Sequence, residues 1–143
     1  MQTFLPYGDP ARVAKILDTR RLGKQRVEAI QIARRLLDLN EGKGWANHPA
    51  VKMWRGHEVY LIKVYLRAML DEWNARGFEN EKCEEHYKYL YRMVVARRAV
   101  QPRWFGEPVF ESHRSRLIQK DPDFYRPLFP GTPDNLEYIW PEA

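Results

Sequence analysis

The chain has 143 residues, a formal net charge of +5, and 44% hydrophobic against 30% charged residues. These values fit one globular domain with a core of ordinary size and exclude a disordered chain. A lone cysteine, Cys83, excludes an intramolecular disulfide and a cysteine-rich zinc site, and apolar stretches broken every few residues by Lys, Arg or Glu exclude a membrane span.

In chain order, residues 1–6 read as a short extended lead-in, without the basic region and long apolar run of a secretory leader. The expectation is a cytoplasmic protein. Asp9-Pro10 marks a helix start, because Asp caps free N–H groups and proline suits the first helical position. Ala11, Val13, Ala14, Ile16 and Leu17 continue that short helix. A longer helix is predicted from Asp18 or Thr19 to Leu39. Its apolar positions Leu22, Ala29, Ile30, Ala33, Leu36 and Leu37 keep close to the 3.6 period, and Asn40-Glu41-Gly42-Lys43-Gly44 ends it. Asn47-His48-Pro49 opens a third helix, predicted to run unbroken to Asn74. Val51, Trp54, Leu61, Ile62, Tyr65, Leu66, Met69 and Trp73 make it apolar around most of its girth, as suits the middle of a bundle. Arg76-Gly77 stops it. A fourth helix is predicted from Asn80 towards Ala99, with Cys83, Tyr87, Leu90 and Val94 inward, and a fifth from about Phe110 to Lys120. From Asp121 the tail reads as a short turn and irregular chain lying on the body. Strand-like alternation is absent, so the fold class is all-α, a compact single-domain helical bundle.

The positive excess lies in residues 1–130, since 131–143 hold Asp134, Glu137 and Glu142 and no Lys or Arg. That distribution suggests a polyanionic partner. On the second helix, Arg21, Lys24, Glu28, Gln31 and Arg35 fall on one polar line beside the apolar one. Glu28 is the only carboxylate of that line, and its cationic neighbours are expected to keep it ionised. By spacing alone, the line reads as a solvated helix face. His48, His57, His86 and His113 are too widely spaced for a tight ligand pair, so no metal site and no cofactor are expected. His57 keeps a possible functional role because Gly56 beside it permits close approach of backbone or ligand. Asn47 and His48 suit either helix capping or a base contact, and Arg97, Arg98, Arg103 and Trp104 suit either a phosphate grip or a packed loop. Trp54 and Trp73 read as core, and Tyr138 and Trp140 as a clamp of the tail onto the body.

Four segments carry a resemblance to a known family: LDTRRLGKQRVEAIQIARRL, HPAVKMWRGHEVYL, the Arg-Gly-Phe ending at Phe78, and SRLIQKDPDFYRPLF. In this order and over most of the chain, they resemble the pyrimidine-dimer DNA glycosylases of the endonuclease V-like type. The spacings from Leu22 to Glu28 and from Pro49 to Gly56-His57 are the most specific features. The resemblance implies a small all-α repair enzyme that binds damaged double-stranded DNA, flips a base and cleaves the glycosidic bond. It also implies that a terminal α-amine attacks the sugar to give an imine, and that a glutamate assists ring opening and strand-breaking β-elimination. Such amines titrate near roughly 8, so a useful fraction is neutral near pH 7. No metal is called for.

Carried over by position, Glu28 matches the family's catalytic glutamate. Arg21 lies at its helix position facing DNA, and Arg20, Gln31 and His57 are counted with it as candidate DNA contacts. Arg116 and Lys120 match its late basic contacts, and Phe124, Tyr125 and Arg126 its aromatic–basic patch, where rings could stack on bases or enter a kinked step. Val27 stands where the family has an arginine before the glutamate. Gln2, a large second residue that usually blocks removal of the initiator Met, leaves three options for the nucleophile: the Met1 amine, Lys24, or none, the last giving a hydrolytic glycosylase without abasic-site lyase activity or a non-catalytic relative. The expectation is therefore a DNA glycosylase with possible lyase activity and no obligate protein partner. Its alternatives are a non-enzymatic nucleic-acid-binding module on the same basic face, or an enzyme of the same fold acting on another modified base or RNA.

Overall fold

A computed structural model describes residues 1–39 and 47–142. The described residues are all-helical, with no strand. The predicted end of the second helix at Asn40–Gly44 lies outside the described residues.

Local capping sets most helix starts. Asp9 accepts the Ala11 N–H through its side chain, and Pro10 opens α1 (Pro10–Ile16). Asp18 does the same for α2 (Thr19–Leu36), accepting the Arg21 N–H. This helix stops three residues before Leu39. Asp38 adopts a left-handed conformation (φ +56°) while Asp38 N–H reaches Arg35 O and Leu39 N–H reaches Arg34 O, a Schellman closure that consumes the last carbonyls.

The predicted unbroken third helix is two helices. His48 Nδ1 accepts the Ala50 N–H to start α3 (Pro49–Trp54). The chain then breaks at Arg55-Gly56-His57, where Gly56 takes φ +82°, a conformation that costs little without a Cβ. The next helix, α4, begins at Glu58–Tyr60, widens into a π-helical stretch at Leu61–Leu66 and returns to α-helix at Arg67–Ala75. Gly77 (φ +89°) ends it as expected. Then follow α5 (Glu81–Val94), which ends five residues before the predicted Ala99, α6 (Val109–Lys120), and a single turn, α7 (Pro122–Tyr125), capped by Asp121.

α4 runs through the middle, packed by α1, α2 and α5. Leu61, Ile62, Tyr65, Leu66, Met69 and Leu70 are buried on one side of it, in the same core as Leu22, Ala29, Ile32 and Ala33 of α2 and Met53 and Trp54 of α3, while Lys63, Arg67 and Asp71 keep its other side polar. At roughly 1.5–3 kcal/mol per fully buried large apolar side chain, this seam is the main source of stability. Cys83 and Tyr87 on α5, and Trp73 on α4, are only half-buried.

The lead-in is not a peripheral strand. Thr3, Phe4 and Leu5 are buried and pass between α2, α3, α4, α6 and the tail. Because an extended chain has no internal partners for its backbone, each buried polar group must find one elsewhere. Thr3 O accepts from Tyr138 Oη, Phe4 O accepts from Tyr65 Oη at 2.9 Å, and Leu5 N–H donates to His113 Nδ1 at 3.0 Å. Thr3 Oγ1 accepts from Trp54 Nε1 at 3.1 Å. His113 must then carry its proton on Nε2, which donates to Ile139 O at 3.1 Å, and burial pushes its pKa down to about 3. These contacts join the first five residues to the tail.

Candidate active site

The anchored lead-in delivers Met1 and Gln2 to the polar face of α2. Gln2 N–H donates to Glu28 Oε2 at 3.4 Å, and Gln2 O accepts from Gln25 Nε2 at 2.9 Å. Gln25 Nε2 also donates to Glu28 Oε2 at 3.1 Å. A pocket of about 440 Å³ opens at this point, with Glu28, Gln25, Gln2 and Met1 on its polar wall. Arg20, Arg21, Lys24 and Lys120 supply its cations, and Phe4 and Trp140 its aromatic surface.

Electrostatics at Glu28 differ from the reading of the sequence. Burial dominates and raises its pKa, against the lowering effects of the Gln2 N–H, the terminal amine charge, Lys24 and Gln25. Burial thus outweighs the cations of that line, the reverse of the expectation from the sequence. Lys120 is lowered by burial first, then by Arg21, Arg116 and Lys24, a sign that the cations crowd one opening. Asp18 is drawn up by burial, but hydrogen bonds from Tyr125 and Arg21 outweigh this and leave it lowered. Arg21 pairs with Asp18 at 3.2 Å, so its guanidinium is held at the rim.

The structure thus gathers Met1, Lys24, Glu28, Arg20, Arg21 and Lys120 at one opening. Arg116, one turn before Lys120, is half-buried with its guanidinium 5.9 Å from the Tyr138 ring centroid. Gln31 is exposed further along α2, away from the pocket lining. His57 sits in a separate groove of about 540 Å³ with Arg55, Arg103, Trp104 and Glu142, at the α3–α4 break rather than inside a helix. Phe124 and Arg126 are exposed, Arg126 pairing with Asp134 at 3.0 Å.

Tyr125 requires a correction. Its ring is fully buried, stacked on Phe129 at 6.0 Å, and its hydroxyl donates to the Asp18 carboxylate while accepting the Asp18 N–H at 2.9 Å. It is a core strut for the start of α2, so it offers no ring to a base. Trp140 requires another, since it does more than clamp the tail. Tyr138, the buried clamp, stacks on His113 at 4.1 Å, and Trp140 beyond it lines the pocket next to His48. Trp104 packs on Trp54 and donates Nε1 to Met53 O at 2.9 Å, which is the packed-loop alternative for that residue. Arg97 pairs with Glu58.

The sequence reading missed Gln2, Gln25 and Trp140. Gln25 carried a signal: it lies one turn from Leu22 and Ala29 on the buried line of α2, where an amide must have polar partners. Trp140 had none, because only the folded tail brings it to the pocket that residue 1 lines.

Comparison with protein families matches residues 1–86 to the model for pyrimidine dimer DNA glycosylase. No curated protein and no solved structure matches the chain.

Proposed function

The chain belongs to the pyrimidine dimer DNA glycosylase family, and from that premise we propose that it excises a dimer base in duplex DNA through the Met1 amine and Glu28, and breaks the strand by lyase chemistry. The family makes DNA the substrate and base excision the reaction. The observation that carries the finer reading is the hydrogen bond from Gln2 N–H to Glu28 Oε2. It sets the residue-1 amine and a half-buried carboxyl side by side in a pocket rimmed with cations.

Each step follows from those groups. The amine lone pair attacks C1′ of the damaged nucleotide, the N–C1′ bond forms, and the glycosidic electron pair leaves with the base. The ionised form of Glu28 stabilises the cationic sugar as it develops and then takes the proton released by the amine. Returned to O4′, that proton opens the sugar ring and yields the imine. The Glu28 carboxylate, ionised again once its proton has gone to O4′, takes a C2′ proton, and the C2′–H electron pair expels the 3′ phosphate. Arg20, Arg21, Lys24 and Lys120 hold flanking phosphates, and Phe4 and Trp140 give an apolar wall against which a base can rest.

Borohydride added during reaction with dimer-containing or abasic duplex tests this reading. The expected result is a covalent protein–DNA adduct that maps to residue 1, is lost when the terminal amine is acetylated, and is kept in Lys24→Ala. An adduct that survives acetylation and disappears in Lys24→Ala makes Lys24 the nucleophile. Base release without any adduct makes the enzyme hydrolytic. Preference for a different modified base or for RNA overturns the assigned lesion, and binding without base release from any of these substrates overturns the enzymatic reading altogether.

A further inference from the structure

Buried polar side chains among the described residues include Thr3, Gln25, Asn80, Ser112, His113 and Ser115. Gln25, only 1% exposed, is the one that touches both the proposed carboxyl and the residue beside the proposed nucleophile. Its amide is fully used. Nε2 donates to Gln2 O at 2.9 Å and to Glu28 Oε2 at 3.1 Å, while Oε1 faces the Phe4 N–H at 3.1 Å and the Tyr65 hydroxyl at 2.5 Å. The opposite orientation would set an NH₂ against the Phe4 N–H and a carbonyl against two acceptors, so the surroundings permit one orientation only.

We infer that Gln25 is a positioning residue that fixes the spacing between the Met1 amine and the Glu28 carboxylate, an inference that rests on the function proposed above. Both polar groups of residue 2 are held by α2: its N–H by Glu28 and its carbonyl by Gln25. Neither peptide flanking the Gln2 Cα can therefore rotate without breaking one of these contacts, and the amine one residue away keeps its place. At the other end of the amide, Tyr65 and Phe4 lock Gln25 to α4 and to the buried lead-in. A flexible chain end is thereby turned into a preorganised group, and small displacements of a reacting atom are costly to rate.

Gln25 also donates to Glu28, which favours the ionised carboxylate, in the same sense as Lys24 on α2, the terminal amine, and Lys120 on α6. Tyr65 of α4 and Tyr138 of the tail face Glu28 from the remaining sides and stay neutral, their pKa values raised by burial. Removing the Gln25 donor leaves burial less opposed, which moves the Glu28 titration upward in pH.

Gln25→Leu and Gln25→Glu test the inference on dimer-containing duplex, with kcat, KM, the pH profile of kcat and the borohydride-trapping rate as readouts. Gln25→Leu removes both N–H contacts. It should lower kcat and the trapping rate by about tenfold or more, the worth of one or two hydrogen bonds, with KM nearly unchanged. Gln25→Glu is nearly isosteric and sets a second carboxyl against Glu28. The two share a proton, so the acid limb of kcat should shift upward in pH. Should Gln25→Leu fail to fold, the pH profile of Gln25→Glu still decides. A parental kcat and pH profile in the variants that fold overturns the inference, as does a loss confined to KM. A parent protein that releases no base, or a Glu28→Gln variant as fast as the parent, marks failure of the underlying function instead.

Discussion

Glu28→Gln separates chemistry from stability, because its structural consequences nearly cancel. In the parent, Glu28 Oε2 accepts from Gln2 N–H at 3.4 Å and from Gln25 Nε2 at 3.1 Å. With an amide in place, both contacts become neutral at best, a loss of roughly 1 kcal/mol each. Against this, burial raises the Glu28 pKa, so the ionised carboxylate is held at a cost that the amide does not carry. The melting temperature should stay within about 5 °C of the parent. The sign of its pH dependence follows from linkage. A carboxyl raised in the folded state makes the parent lose stability as pH rises from its ordinary value of 4.5 through the higher folded value. The variant should therefore gain relative to the parent across that window and hold the gain above it. Duplex binding should be unchanged or tighter, since one negative charge leaves a rim of Arg21, Lys24 and Lys120. Base release from dimer-containing duplex, followed in single turnover, should fall at least about a hundredfold, or about 2.7 kcal/mol of transition-state stabilisation. Release at the parental rate would refute the proposed role of Glu28, and a collapse of stability large enough to explain the loss would show that the two effects do not cancel.

Three further outcomes follow from the same geometry. Duplex affinity should fall steeply with salt, and Arg20→Ala with Lys120→Ala should reduce the log–log slope by roughly one unit per lost phosphate contact; a slope unchanged in the double variant, measured by anisotropy, would place the DNA track away from this pocket. Tyr125→Phe should cost about 1–3 kcal/mol in denaturant unfolding, because the Asp18 carboxylate and N–H lose a buried partner, with equal effects on damaged and intact duplex; a selective loss on damaged DNA would restore Tyr125 to the interface. His113, lowered from 6.5 to about 3, binds protons more readily unfolded than folded, so stability should fall as pH drops below about 6.5 and continue falling to about 3, by on the order of 4–5 kcal/mol in total; denaturant midpoints across that range should flatten in His113→Gln, and an equal slope in both proteins would count against the neutral, buried imidazole.

Much of the helical frame is legible locally. Asp9-Pro10, Asp18, His48-Pro49 and Gly77 each act through contacts within a few residues, so their effect can be read from the letters around them. The break at Gly56 is less visible. Apolar residues continue on both sides, from Val51 to Trp54 and from Val59 onward, so apolar density alone runs through the break without a mark. The π-helical stretch at Leu61–Leu66 is hidden for the same reason. Of the predicted polar line on α2, Lys24 and Gln31 are exposed and Arg21 and Glu28 half-buried, so periodicity found the face but not the depth. That depth decides the chemistry, because it is burial that raises Glu28.

The lead-in shows why the rest was out of reach. Its partners Gln25, Trp54, Tyr65, His113 and Tyr138 are spread along the chain from α2 to the tail, and no local rule links them to Thr3, Phe4 and Leu5. Yet this long-range set holds the proposed reacting groups together. A buried extended segment is an expensive choice for a small helical protein, since every backbone group needs a partner and each partner must be satisfied in turn. An apolar core of the same shape would not require Gln25, His113 or the hydroxyls of Tyr65 and Tyr138. Their presence has a rationale if the fold must fix a chain end beside a carboxyl, because an unanchored terminus would lose that register to thermal motion. Residues 87–142, beyond the matched family region, contribute to the same end. His113 and Tyr138 fasten the lead-in, while Lys120 and Trp140 complete the pocket wall. The amine, the carboxyl and three of the cations thus come from residues 1–28, while Lys120 and Trp140 reach the same pocket from the other end of the sequence. Perturbing the tail at Tyr138 should therefore reach the chemistry at Glu28 through the position of residues 1–5.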